Sequence, residues 1–193
     1  MHLLNKIIAK LRAMTYYKMC FRHYGKHTLI LRPLLVEGKK DISIGDRTFI
    51  YDQVWLAAMP LTENKNPELR IGNNCGLGHF NHIYATNRII IEDSVLTADR
   101  VYISDTLHTY EEPSVPIKEQ KVRSPKEVVI GEGSWIGENV SIIGASVGKH
   151  CVIGANAVVT HDIPDYSVAV GIPARVIKRY DAETQKWIKV EDK

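Results

Sequence analysis

Residues 130–141 read IGEGSWIGENVS. The same six-residue phrase occurs there twice: an aliphatic residue, a small or acidic one, two turn residues, a small or β-branched residue, then any residue. Ten copies begin at Ile44, Ile50, Ile71, Leu77, Ile91, Thr97, Ile130, Ile136, Val147 and Ile153. Their second positions include Gly45, Gly72, Gly78, Gly131, Gly137, Gly148 and Gly154, and their fifth positions include Thr48, Cys75, Asn81, Ser134, Val140 and Cys151. A short fixed period held over such a length defines a solenoid, and a six-residue period defines an all-β solenoid of parallel strands. Three hexads close one coil. The first and fifth residues of each hexad point inward and stack on their equivalents in neighbouring coils. Glycine at the second position is expected to supply corner dihedrals that other residues resist. About five coils are expected between residues 30 and 165, since each coil contacts only its neighbours and several are needed for a core.

The composition sets limits. A chain of 193 residues is one domain with short additions. A net charge of +3 is too small to argue for nucleic acid. The three cysteines are an odd number, and Cys75 and Cys151 fall at inward positions, so they read as reduced core residues in a reducing compartment. No stretch is long and apolar enough to span a bilayer. Lys6 and Lys10 interrupt the apolar pattern near the N-terminus, which argues against a signal peptide.

The segments follow from where the repeat holds. Residues 1–28 form an amphipathic helical segment, with Leu3, Leu4, Ile7, Ile8, Leu11 and Met14 on one face and Lys6, Lys10, Arg12, Lys18 and Arg22 supplying charge. It reads either as a cap on the open first coil or as a peripheral membrane contact through residues 2–22. The solenoid occupies 29–165, with loop excursions at 57–68 and 105–127. Residues 166–193 form a C-terminal arm in which 181–190 are expected to be a short helix. Long loops on a regular scaffold are usually functional.

The second excursion carries one histidine, His108, thrown outward where the strand stops at a corner. An exposed histidine commonly has no role, but this one stands on a rigid platform with Asp105 three residues before it. A carboxylate on one ring nitrogen would leave the other as a base. Asp105 serves equally well as a turn residue at the strand exit.

The hexads, the loop ISDTLHTY (103–110) and the run IGANAVVTHDIPDYSVAVGIPARVIKRY (153–180) resemble the hexapeptide-repeat acetyltransferases. The nearest subgroup is the sugar and polysaccharide O-acetyltransferases of capsule, lipopolysaccharide and exopolysaccharide; the galactoside and maltose acetyltransferases are more distant. The resemblance implies a left-handed coil, contrary to the usual crossover hand. It implies an acetyl-CoA-dependent transfer to a sugar hydroxyl, with His108 as general base and Asp105 beside it. It also implies a homotrimer with its sites between subunits and a cytoplasmic location, at the inner face of the membrane if the helix docks there. On the acceptor side it points to His79, Asn81, Asn87 and Tyr110. Asn and Asp stand in galactoside acetyltransferases at the positions of His79 and Asn87, which weakens a simple galactoside acceptor. Asn81 sits at an inward position, where corner packing competes with acceptor binding. Along the coenzyme it points to Trp135, Gly137, Glu138 (whose amide would meet the oxyanion), Ala155, Thr160, His161, Arg175, Lys178 and Arg179. No metal is implied: a metal enzyme on this scaffold needs three histidines on adjacent coils, and His79, His82 and His108 lack the spacing. N-acetylation of an amino sugar and a non-catalytic scaffold are the competing readings.

Overall fold

The computed structural model describes residues 2–190. Met1 and residues 191–193 of the expected terminal segments fall outside that range, as do the side chains of Leu3 and Lys6.

Three parallel sheets form the walls of a prism. In the first, strands His23–Tyr24, Ile42–Ile44, Glu68–Ile71, Arg88–Ile91 and Val128–Ile130 stack in chain order. The second stacks Leu29–Ile30, Phe49–Ile50, Gly76–Leu77, Leu96–Thr97, Trp135–Ile136, Val152–Ile153 and Ser167–Val170. The third stacks Leu35–Glu37, Trp55–Ala58, His82–Ala85, Tyr102–Ser104, Ser141–Ile143 and Val158–Val159. Each strand pairs in parallel with its equivalent one coil away, for example Leu96 with Gly76 on one side and Trp135 on the other. This is a solenoid by connectivity. Six strands in the third sheet make six coils, and the first starts at His23 rather than at residue 29.

The core follows the repeat. Ile44, Ile50, Leu77, Ile91, Ile130, Ile136 and Ile153 are fully buried, as are Val54, Val95, Val140 and Ala157 from the fifth positions. Polar fifth residues are buried because they tie coils together. The Thr48 hydroxyl donates to the Gly72 carbonyl at 2.7 Å, and Ser134 does the same to Gly148 at 2.8 Å. Cys75 and Cys151 are free, and burial pushes both thiols up. A third inward row, Leu56, Ile83, Ile103, Ile142 and Val159, completes the triangle. It escapes the repeat because both excursions leave from that side.

Three expectations change. The left-handed backbone lies at the fourth hexad position, not the second: Arg47, Asn74, Arg100 and Asn139 all have φ between 53° and 59°. The second-position glycines serve close approach instead, since a Cβ on Gly72 would stand 2.3 Å from Asp93 Oδ1. The N-terminal helices, α1 (His2–Met14) and α2 (Tyr16–Cys20), pack through Ala9, Ala13 and Tyr17, while Leu4, Ile7, Leu11 and Met14 stay exposed. The expected C-terminal helix is a β-hairpin. Arg175–Asp181 folds back antiparallel on Ser167–Val170, and Lys186–Lys189 pairs with it in turn. Asp181 drives the reversal by accepting from the Glu183 amide and the Thr184 hydroxyl, and Tyr180 meets Trp187 edge-on across the strands.

Candidate active site

The second excursion is a two-stranded antiparallel ribbon, Leu107–His108 against Val122–Arg123. His108 faces Val122 across the ribbon and is exposed. Its ring has no hydrogen-bond partner among the described residues. Asp105 does not orient it, because its carboxylate is fully buried and already saturated. Oδ1 accepts from the Thr86 amide and hydroxyl at 2.8 and 3.0 Å; Oδ2 accepts from the Asn87 and Arg88 amides at 2.8 and 2.7 Å. The same residue that reads as a catalytic partner in sequence staples one coil's corner to the next.

Around the ribbon's base lies a cleft of about 380 Å³ lined by Thr62, Asn64, Asn87, Thr109, Lys121 and Arg123. Asn87 is half-buried there, its Oδ1 held by Asn64 Nδ2 at 2.7 Å. Tyr110 stands exposed just beyond the ribbon. Asn64, Lys121 and Arg123 escape a reading of the sequence: they sit in loops without a motif, and only folding brings them beside Asn87.

Asn81 is no acceptor ligand. It is buried, donates to the Thr97 hydroxyl and accepts from the Val101 amide at 2.8 Å. His79 sits at a different edge of the prism, between the second and third sheets. Its Nδ1 lies 3.2 Å from Asp99 Oδ1, and Tyr51 packs on its ring at 4.8 Å. The histidine–carboxylate pair sought at His108 therefore exists, but at His79. His82 lies on the outer face of the third sheet, stacked on Trp55 at 4.2 Å, and burial lowers its pKa.

At the edge that holds His79, one corner amide is met by a side chain one coil on. The His79 amide donates to Asp99 Oδ1 at 2.8 Å. At the neighbouring edge the Lys26, Asp46 and Asn73 amides each donate to an Asp or Asn one coil on. Elsewhere along the edge that holds His79, the Asp52 and Asp99 amides have no such partner among the described residues. The residue above Glu138 is Ala155, which has no acceptor, so the Glu138 amide has no partner among the described residues while Gly137 N–H donates to Ile153 at 2.8 Å. The Glu138 side chain turns away to Arg100 at 2.7 Å.

Most of the expected coenzyme residues line this same edge and the outer face of the second sheet. Trp135 pairs with Val152, Val152 with Val168, and Val168 with Lys178. Arg175 pairs with Val170 and Arg179 with Ser167. Trp135, Ala155, Arg175, Lys178 and Arg179 are all exposed. Thr160 and His161 lie instead at the edge from which the ribbon springs, their side chains 3.0 Å apart. There Lys126, at the ribbon's end, pairs with Asp162. Among the described residues no group of His, Cys, Asp and Glu is placed to hold a metal ion. In one chain, then, His108 and the free Glu138 amide occupy two different edges.

The comparisons with known proteins agree with this architecture. Residues 127–161 match the family described as the hexapeptide repeat of succinyl-transferase. A Mycobacterium tuberculosis protein named provisionally as an acetyltransferase is 47% identical over 112 residues, 57% of this chain and 37% of that protein. An Escherichia coli protein named provisionally as a lipopolysaccharide biosynthesis O-acetyl transferase is 34% identical over 125 residues, 61% of this chain and 63% of that one. The chain thus spans less than two thirds of the length of these relatives. Among solved structures, the N-acyltransferase AntD from Bacillus cereus, with dTDP and coenzyme A, shares the fold at a TM-score of 0.74 and 21% identity, covering 89% of this chain and 90% of that one. A hexapeptide-repeat acetyltransferase from Vibrio cholerae, complexed with acetyl coenzyme A, aligns at a TM-score of 0.61 and 24% identity, covering 92% and 81%. In its repeat, its sequence and its fold the chain is similar to the hexapeptide-repeat acetyltransferases, the family implied by its C-terminal run.

Proposed function

We propose that this chain is an acetyl-CoA-dependent O-acetyltransferase whose acceptor is a sugar hydroxyl of a surface polysaccharide or its precursor. The observation that carries the reading is His108: an imidazole with both nitrogens free of protein partners, held out on a ribbon that a fully buried carboxylate anchors. A sugar hydroxyl is a weak nucleophile and a thioester an activated electrophile, so one base suffices. His108 takes the hydroxyl proton as the oxygen attacks the thioester carbonyl; the C–S bond breaks and the coenzyme leaves as its thiol. General-base help of this kind is worth roughly 10²–10⁴-fold. The Glu138 amide is a ready donor to the developing oxyanion. Arg175, Lys178 and Arg179 suit the coenzyme phosphates, and the small Gly137 and Ala155 leave room for its chain against the backbone. Because His108 and Glu138 lie on different edges, the reading includes a homotrimer of left-handed coils in which one subunit's ribbon faces the next subunit's free amide.

A second reading, N-acetylation of an amino sugar, draws on the Bacillus cereus N-acyltransferase that shares the fold. The test is thiol release from acetyl-CoA over a panel of sugars and amino sugars, wild type beside His108→Ala. Release that requires a hydroxyl acceptor and His108 supports O-acetylation, and release only with amino sugars supports the second reading. Equal release by His108→Ala sinks the assignment of the base.

A further inference from the structure

The open N-terminal end of the prism combines two features that the transfer chemistry does not use. The first is an inverted helix. On α1, 100° of rotation per residue puts Leu4, Ile7, Ile8 and Leu11 on one side and Ala9 and Ala13 on the opposite side. The small side is the buried one: Ala9 is 0% exposed and Ala13 8%, whereas Leu4 is 62% exposed, Leu11 59% and Met14 70%. The helix docks on the first coil through its alanines and turns its large apolar face outward.

The second feature is charge. Residues 1–36 hold Lys6, Lys10, Arg12, Lys18, Arg22, Lys26 and Arg32 and none of the chain's 22 Asp and Glu. The chain carries only +3 overall, so the remainder is net acidic and the net excess of positive charge lies at this end. Arg22 and Arg32 are engaged with Asp41 and Asp52. Of the others, Lys10, Lys18 and Lys26 line, with Ala13, Met14 and Leu29, an apolar-walled groove of about 520 Å³. On α1 itself Lys10 and Arg12 flank the apolar stripe on either side.

An exposed apolar stripe bordered by cations, on a helix too short to cross a bilayer, is the pattern of a helix lying in a membrane interface. We propose that α1 and the adjoining basic end dock this protein on an anionic lipid surface, with Leu4, Ile7, Leu11 and Met14 inserted and Lys10, Lys18 and Lys26 at headgroup level. The cations select this occupant over a second copy of the chain, whose equivalent surface would carry the same positive charge. The ribbon with His108 leaves the fourth coil, about 14 Å along the axis from the first at the spacing of stacked strands. An acceptor presented at the bilayer would thus be near it. The docking proposal itself needs no substrate.

The test is flotation of the full chain with phosphatidylcholine vesicles, with or without about 30% phosphatidylglycerol, alongside sedimentation without lipid. Expected are binding to anionic vesicles, weaker binding in high salt, and little binding to neutral ones. Leu11→Glu, at an exposed site, should abolish flotation while leaving the melting temperature and the mass unchanged. Exchanging Lys10 and Lys18 for Gln should weaken partitioning about thirty-fold. The proposal is overturned if the wild type fails to float on anionic vesicles, or if Leu11→Glu floats equally well. It is also overturned if Leu11→Glu lowers the mass without lipid, because the face then seats a second copy.

Discussion

Two corners of this prism treat the same backbone groups in opposite ways. At one, the amides of Thr86, Asn87 and Arg88 point along the axis and all end on the buried carboxylate of Asp105. At the other, the His79 amide ends on Asp99, while the Asp52, Asp99 and Glu138 amides find no acceptor among the described residues. An unmet donor in a packed corner is costly, whereas one at an exposed corner can be met from outside the chain. Among these unmet donors the Glu138 amide, exposed beside the small Ala155, is the one that the proposed function gives to an outside oxygen. The saturated corner is scaffold; the other leaves donors that the proposed function can use.

Substitutions can break or sharpen this contrast. Asp105→Ala leaves three amides without an acceptor, and we expect a loss of about 3 kcal/mol, which lowers the melting temperature by roughly 6–12 °C. Calorimetry checks this; an unchanged melting temperature would return Asp105 to the chemistry. Ala155→Asp should give the Glu138 amide an acceptor, as Asp165 does for the Lys149 amide at 2.8 Å. Occupying the Glu138 donor in this way should cut turnover on the order of 10²-fold without loss of stability, read by thiol release and melting on one sample. Arg175 and Lys178 are exposed on the strand Arg175–Asp181, and replacing either by Ala should weaken coenzyme affinity about three- to ten-fold, measurable by calorimetric titration; an unmoved affinity removes them from the coenzyme path.

The smallest effect is a pH dependence at His82. Its pKa falls below 6.5 in the folded chain because burial against Trp55 disfavours the imidazolium. Between 6.5 and that lowered value the unfolded chain holds the extra proton. Stability therefore falls as pH drops through 6.5 and levels off below the folded value. Melting curves of His82→Phe should show less of this slope; an identical slope would assign it elsewhere.

Inward rows such as Ile44, Ile71, Ile91 and Ile130 are legible in the amino-acid sequence, because each coil imposes the same burial and the residues repeat accordingly. The third row, with Leu56, Ile83 and Ile103, is hidden because the excursions interrupt its spacing. His108 stands out as a lone histidine at a strand exit. The role of Asp105 does not: its partners, Thr86 to Arg88, lie a full coil earlier and approach only through stacking. The same holds for α1, where periodicity shows an apolar face but not which face meets the coil. The stretch containing Trp187 reads as a helix because a short segment of mixed polarity supports either period, and the Asp181 turn decides for the hairpin.

The contrast between Asp105 and His108, three residues apart, offers the most direct test. Turnover and melting temperature should be measured together for His108→Ala and Asp105→Ala, below the melting point of both. The account predicts that His108→Ala melts like the wild type and loses roughly 10²–10⁴-fold in turnover, while Asp105→Ala melts lower and keeps its turnover within a few-fold. The reverse pattern, a silent His108 and a catalytically essential Asp105 in a chain of unchanged stability, would contradict it.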